Sequence, residues 1–307
     1  MASKVYELLT QVKNLCLVEG TTEDTKILQL LNQVQWDIYN SHAPWRALEV
    51  YPTVTTTASQ AYVTVPSTLA MVYDVRQTSD SPYTKLEFVE IQKFHEVVPQ
   101  PTIYSTGKPV YYSWWGGRFW LYPIPASTYT LTVYGYSKPV NTKLYSTGTA
   151  AHSGTTVTGT DTYFSNNANV DTNMYFAYQG DVRSDGTYPW SAISAVTTNT
   201  AMTIGTYAGS SGGSTVAYAC SSAPSYSEDF DLLLIYGTSI LYGGRLREFD
   251  TKLMDWLQKA YDRLFGGLVN TQTYVPDFTP ILEDFTPYPR RILSDSAYKY
   301  PFIFRDI

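Results

Sequence analysis

The chain has 307 residues and a mass of 34.5 kDa, a length that predicts two or three folded units. Hydrophobic residues make up 44% and charged residues only 16%, so part of the surface is expected to be hidden in an assembly or covered by neutral polar groups. The net charge of -6 argues against a protein that grips nucleic acid, because phosphate binding needs clustered Lys and Arg.

The first part of the chain is predicted to form two helices. An apolar stripe at helical spacing runs over residues 5–16, and Gly20 is expected to end this helix. Residues 21–24 match a helix start signal and precede a second stripe that reaches about Tyr39. Both helices need a partner for their apolar faces, so residues 1–45 are interpreted as the first part of a helical bundle.

Residues 46–145 have an apolar pattern of period two, which predicts a β domain. Its clearest signal is Gly116-Gly117 between two aromatic runs, since both glycines can take the positive φ of a tight hairpin turn. The aromatic residues of this hairpin are expected in the core or in a contact between subunits. They are Tyr111, Tyr112, Trp114, Trp115, Trp120 and Tyr122.

Residues 146–225 change sharply in composition, because they contain no Lys and no Glu and are rich in Thr, Ser, Gly and Tyr. Short β-branched and aromatic runs alternate there with Gly and Asn turns. This pattern predicts an inserted small β-sandwich or barrel. Disorder is the competing interpretation, and the regular aromatic content argues against it.

Helical periodicity returns in residues 226–266. Residues 225–228 repeat the capping signal, and the apolar stripe that follows is broken at Gly243-Gly244. The longest helix is predicted next, with Gly266-Gly267 as its stop signal. The early and late helices are therefore expected to form one bundle in an α+β chain, with the β material looped out between them.

Residues 267–307 are predicted to form an extended arm. Their prolines preclude a long helix, yet the segment is too aromatic for a solvated tail and needs a partner that buries it. Its basic residues are interleaved with aromatic ones, which favours contact with protein over contact with DNA. The predicted contact residues are Tyr274, Phe278, Phe285, Tyr288, Arg290, Arg291, Tyr300, Phe302 and Phe304.

The order of these segments resembles the phage head-to-tail connector proteins, the neck adaptors also described as similar to tail tubular protein A. The resemblance rests on the string Gly-Gly-x-x-x-Leu-Tyr-Pro-x-Pro over residues 116–125, on Tyr-x-Leu-x-Val-x-Gly-Tyr over residues 129–136, and on the helix after Glu228. It covers roughly two thirds of the chain. Compact members lack the 146–225 insert.

The resemblance implies a structural protein in the virion neck, assembled in the host cytoplasm. Its members form a homo-oligomeric ring of about twelve subunits beneath the portal protein. A downstream tail or nozzle protein docks below the ring, and DNA passes through the lumen without specific binding. Tail fibres are a further partner that the insert could contact, and no membrane is involved.

Metal and cofactor sites are not predicted. His42, His95 and His152 lie far apart and have no ligand-spaced neighbours, so structural or surface roles are favoured. Residues 181–186 look like a calcium loop, but Arg183 occupies a ligand position, so a surface turn is favoured. The two cysteines are expected to be buried and reduced.

Two other classes of function remain as alternatives. A tail receptor-binding or carbohydrate-binding module would use the insert together with exposed rings such as Trp114 and Trp190. A polysaccharide-degrading enzyme would need a carboxylate pair from Glu228, Asp229 and Asp231, which are better explained by a helix N-terminus. The chain is therefore predicted not to be an enzyme.

Overall fold

The computed structural model describes residues 3–41, 45–79, 81–99, 106–209, 216–246 and 250–272. All of them lie within Met1–Thr273, one of two units into which the chain divides. They have the α+β architecture that was predicted. The helices are α1 (Val5–Cys16), α2 (Asp24–Ser41), α3 (Ile91–Val97), α4 (Asp231–Gly243) and α5 (Thr251–Gln272).

The described strands belong to a β domain and to the insert. Those of the β domain are β1 (Glu49–Val50), β2 (Thr53–Thr55), β3 (Tyr62–Thr64), β4 (Leu69–Gln77), β5 (Thr84–Lys85), β6 (Glu87–Phe88), β7 (Thr106–Gly107), β8 (Tyr111–Trp115), β9 (Arg118–Tyr122), β10 (Ile124–Pro125) and β11 (Thr130–Ser137). Those of the insert are β12 (Leu144–Tyr145), β13 (Thr149–Ser153), β14 (Thr156–Thr160), β15 (Met174–Tyr178), β16 (Ser191–Val196), β17 (Ala201–Ile204) and β18 (Tyr218–Ser222).

The early and late helices share a core, because α4 packs against α1, α2 and α5. The predicted stripe of α1 is its buried face. Gly237 allows the close approach of α4, since a Cβ at this position would lie 2.8 Å from Val34 Cγ1 and 2.9 Å from Tyr261 Cε2. Trp45 is fully buried in the same core and packs edge-on against Phe230 and Phe265.

Two predicted helix ends are wrong. The first helix ends at Cys16 and not at Gly20, because Leu17 takes a left-handed conformation and the Val18 N–H closes the turn on the Lys13 carbonyl at 2.9 Å. The last helix continues through Gly266-Gly267 to Gln272, so residues 267–272 do not belong to an extended arm. The stripe continues with Leu268 and Val269, which pack on the helical core, and this burial outweighs the roughly 1 kcal/mol cost of a helical glycine.

The β domain contains two principal sheets that share one apolar core. The first has the strand order β1-β11-β4-β5, and β2 pairs with β11 beside β1. The second has the order β3-β9-β8-β6. Strands β7 and β10 form a short parallel pair, and α3, which the sequence did not predict, packs on β8.

The insert forms one bent antiparallel sheet in the order β12-β18-β15-β16-β17-β14-β13. A register shift within β16 bends the sheet, so that this strand pairs with β15 through its first residues and with β17 through its later ones. Ala150 and Val216 exchange main-chain hydrogen bonds of 3.0 and 2.9 Å between the two ends of the sheet. The predicted alternative of a barrel is wrong for the strands that are described, because no closed barrel is present.

Candidate interaction surfaces

The aromatic hairpin is present as predicted. Strands β8 and β9 pair antiparallel from Tyr111 opposite Tyr122 to Trp115 opposite Arg118. Gly116 and Gly117 make the two-residue turn with φ values of 62° and 71°. Both residues occupy the left-handed region that glycine adopts without strain, which explains why the turn needs this pair.

The six predicted hairpin residues divide between the two faces of the sheet. Tyr112 and Trp114 belong to the core face, where their rings meet the buried Phe119 at 5.4 and 6.2 Å. Trp115, in contrast, is 62% exposed at the end of β8. Tyr112 and Trp114 thus lie at the core of the single chain. A subunit contact of the exposed hairpin residues stays a prediction.

The other face of the hairpin is partly covered. The ring of Trp120 meets the rings of Tyr62 at 5.4 Å and of His95, in α3, at 6.4 Å. The Arg118 guanidinium lies 4.3 Å from the centre of the Tyr62 ring, a cation–π contact. The Trp120 Nε1 is buried and has no hydrogen-bond partner among the described residues.

The predicted contact residues of the C-terminal arm, from Tyr274 to Phe304, lie outside the described residues. The structure therefore does not place them against any surface, and their role stays a prediction. His42 also falls outside the described part of the chain.

The insert is attached to α1 by an aromatic and polar junction. Trp190 Nε1 donates to Glu7 Oε1 at 3.1 Å, and its ring packs edge-on against Tyr6. The Lys4 ammonium lies 3.6 Å from the centre of the Tyr175 ring, and burial lowers the pKa of this lysine. Trp190 is thus engaged within the chain, which removes it from the sugar-stacking surface that the carbohydrate-binding alternative requires.

A second polar cluster lies inside the insert. His152 Nδ1 is 3.1 Å from the Tyr178 hydroxyl, and Tyr207 donates from its hydroxyl to Asp181 Oδ2 at 2.9 Å. Burial raises the pKa of Tyr178 to about 12, so its hydroxyl stays protonated at neutral pH. The rings of Tyr178, Tyr207 and Phe176 pack on one another, and the cluster is part of the sheet core.

The loop with a calcium-like sequence is a hydrogen-bonded turn, as predicted. Asp185 Oδ1 accepts from the Thr187 N–H and hydroxyl at 2.9 and 2.7 Å, and these bonds lower the pKa of the Asp185 carboxyl. Asp181 is buried and holds Tyr207. In the described segments, no group of three or more His, Cys, Asp and Glu side chains is arranged to hold a metal ion.

The cysteines and the carboxylates near the start of α4 lie in environments that favour structural roles over catalysis. Burial raises the pKa of both thiols, Cys16 and Cys220, which disfavours the reactive thiolate form. Residues Glu228–Phe230 form a single 3-10 turn before α4, and burial raises the pKa of the Asp231 carboxyl at the helix start. The predicted cap by Ser225 is wrong, because its Oγ accepts instead from the Val140 N–H at 2.8 Å.

Sequence reasoning named Tyr111 but missed the other exposed apolar side chains at the same edge of the β domain. They belong to Tyr83, Phe88 and Val110, around β5, β6 and the start of β8. The available signal was weak, since a two-residue strand has no readable period. Among the described helices, none is long and apolar enough to cross a membrane.

The chain was compared with models of known families. The model of the family described as SU10 adaptor protein matches residues 3–161, just over half of the chain. The matched residues include α1, α2, the whole β domain with its aromatic hairpin, and the first strands of the insert. A comparison with curated proteins finds no match.

Proposed function

The chain belongs to the SU10 adaptor protein family, which makes it a phage structural adaptor and a virion component, and we propose that it joins the portal to the tail. In this proposal several copies form a ring in the virion neck, through whose centre the genome passes. The observation that carries the proposal is the family match over the helical start and the β domain. The net charge of -6 supports the proposal, because a channel wall that does not attract phosphate groups lets DNA slide through.

The proposed division of labour follows the elements of the chain. Residues 1–45 and 226–266 act as the helical bundle, to which the observed end of α5 adds residues up to Gln272. Residues 46–145 are the β domain and 146–225 the insert. The shared core of α1, α2, α4 and α5 supports a rigid body from which the other parts project.

The segment after α5 is proposed to bind the portal. Its aromatic residues, including Tyr300, Phe302 and Phe304, would be buried only on docking. A segment that orders on binding loses conformational entropy at that moment but covers a large surface, so assembly waits for the partner.

The insert is proposed to contact a tail component. Its sheet is fixed to α1 through Trp190, Glu7, Lys4 and Tyr175, so a load on the insert would be transmitted to the helices. Exposed threonines alternate with buried residues along β14, which gives the insert a neutral outer face. A nozzle or fibre protein is the partner class proposed for this face.

Copurification with the portal protein of the same phage tests the proposal. We expect the full chain to bind the portal, and we expect deletion of Val275–Ile307 to abolish this binding while the melting temperature changes by less than about 3 °C. A full-length variant with Tyr300→Ser, Phe302→Ser and Phe304→Ser should weaken binding at least tenfold. Unchanged portal binding by both variants would refute the role of this segment, and no portal binding by the full chain would refute the adaptor function.

A further inference from the structure

Among the described strands, the β domain has two sheet edges without a further partner strand, on opposite sides. On one side lie β2 and β3, which end the first and second sheets respectively. On the other side lie β5 and β6, which end the same two sheets at their opposite limits. In each sheet, two strands lie between the two edges. The continuous segment from β2 to β3 forms one edge, and the continuous segment from β5 to β6 forms the other.

The β2–β3 edge offers unpaired main-chain groups. Hydrogen bonds from the Leu121 N–H to the Ala61 carbonyl and from the Val65 N–H to the Gly117 carbonyl fix the register of β3 on β9. In this antiparallel register the N–H and C=O groups of Tyr62 and Thr64 point away from β9. No other described strand pairs with β3, so these groups are free to bind a further strand.

The same edge contains a cleft of about 320 Å³ between β2 and β3. Val54 and Val63, which are almost fully buried, form its floor at the rim of the domain core. Thr55, Thr57 and Thr64 are exposed and lie along its sides. The exposed lining of this cleft is mostly polar and carries no charge, which suits a tyrosine, because its ring can meet the valines and its hydroxyl can meet the polar side chains.

The β5–β6 edge carries exposed aromatic side chains. Tyr83 is 61% exposed, and Phe88 is 41% exposed although its ring also packs edge-on against Tyr112 at 5.4 Å. Val110 and Tyr111 extend this surface, because the Glu87 N–H binds the Val110 carbonyl at 2.8 Å and β6 pairs with β8. Exposed aromatic rings beside an unpaired sheet edge promote aggregation of a monomer, so a binding partner is expected to cover this surface.

We propose that the β2–β3 edge of one copy of this chain binds the β5–β6 edge of the next copy, with Tyr83 seated in the cleft. The proposal rests on the ring in the proposed function and names the contact that builds it. A second copy is the occupant, because the cleft and the rings lie on opposite sides of the same domain. One repeated contact then covers both edges on every subunit, and a head-to-tail contact of this kind closes into a ring when the rotation between neighbouring copies divides a full turn evenly.

Paired cysteine variants test the contact. One full-length variant carries Thr64→Cys on β3 and the other carries Glu87→Cys on β6, both at exposed positions. The native Cys16 and Cys220 are buried, so the wild-type chain is the background control. With a short bismaleimide, we expect covalent dimers when the two variants are mixed and none when either variant is treated alone.

Substitutions that keep the fold give a second readout. Tyr83→Asp with Val110→Asp should lower the fraction of oligomer at least tenfold by native mass spectrometry, whereas Tyr163→Asp, a tyrosine of the insert that is 54% exposed, should not. Thr64→Pro should have the effect of the aspartate pair, because it removes an N–H that points away from β9. Thr64→Val retains the N–H and should assemble normally.

The outcomes separate the two proposals. Rings that form without the mixed cross-link, or that tolerate both the aspartate pair and Thr64→Pro, overturn the proposed contact and leave the adaptor function standing. Dimers from a single cysteine variant alone also overturn it, since they indicate that like edges meet. A chain that stays monomeric with and without the portal overturns the ring and therefore the contact as well.

Discussion

At the scale of single residues, polar side chains of α2 join parts of the chain that are distant in sequence. Gln35 is fully buried; its Nε2 donates to the Val140 carbonyl at 3.0 Å, and its Oε1 accepts from the Ser225 N–H at 2.9 Å. Asn32 holds Thr142 in the same way, with its Oδ1 accepting from the Thr142 N–H at 2.7 Å. These side chains fix both connections between the insert and the rest of the unit.

Replacement of Gln35 by Ala is expected to destabilise the protein by about 2 kcal/mol, because it leaves the Ser225 N–H and the Val140 carbonyl without this partner. Urea denaturation followed by circular dichroism measures the change. Gln33→Ala is the matched control, since Gln33 is exposed on the same helix and should change stability by less than about 0.5 kcal/mol. Equal effects of the two substitutions would contradict the role given to Gln35.

At the scale of elements, local sequence determines turns and apolar faces well and helix ends less well. The Gly116-Gly117 turn follows from residue type, because few other residues adopt positive φ at both positions. The stop predicted at Gly266-Gly267 fails, because Leu268 and Val269 find a core to pack against. Whether a glycine pair ends a helix therefore depends on what the following residues can bury.

Gly117→Val is expected to cost about 1–2 kcal/mol, since a β-branched residue would be forced to a φ of 71°. Thermal melting measures the loss. Gly117→Asn should cost clearly less, because asparagine tolerates the left-handed region. Gly180→Ala is the control, as Gly180 has open space around it and no positive φ. A valine variant as stable as the asparagine variant would show that the turn has relaxed to another type.

At the scale of the whole unit, the helical core is built from the two ends of its sequence. Trp45, just after α2, donates from its Nε1 to the Ile38 carbonyl at 2.9 Å and packs on Phe230 and Phe265. This one side chain therefore joins an early helix to α5 and to the turn that leads into α4. The early and late helices are expected to unfold together, because neither set can bury its apolar face alone.

Trp45→Ala is expected to destabilise the unit by about 4 kcal/mol, through the cavity that it leaves. Trp256→Ala is the matched control, because Trp256 is 52% exposed on α5 and its loss should cost less than about 1 kcal/mol. Urea denaturation followed by far-UV circular dichroism should show the helical signal lost in one transition for the wild-type chain. Two separate helical transitions would contradict a core shared by the early and late helices.

The sequence by itself determined the class of the protein, the aromatic hairpin, the apolar faces of α1, α2 and α4, and most strands of the insert. These features depend on residue type and on the spacing of apolar residues, both of which can be read from short stretches of sequence. Only the tertiary structure decided that Ser225 holds Val140 instead of capping a helix, that Trp190 joins the insert to α1, and which sheet edges stay open. The bonds made by Ser225 and Trp190 join residues more than 80 positions apart, and no local pattern contains the information that brings them together.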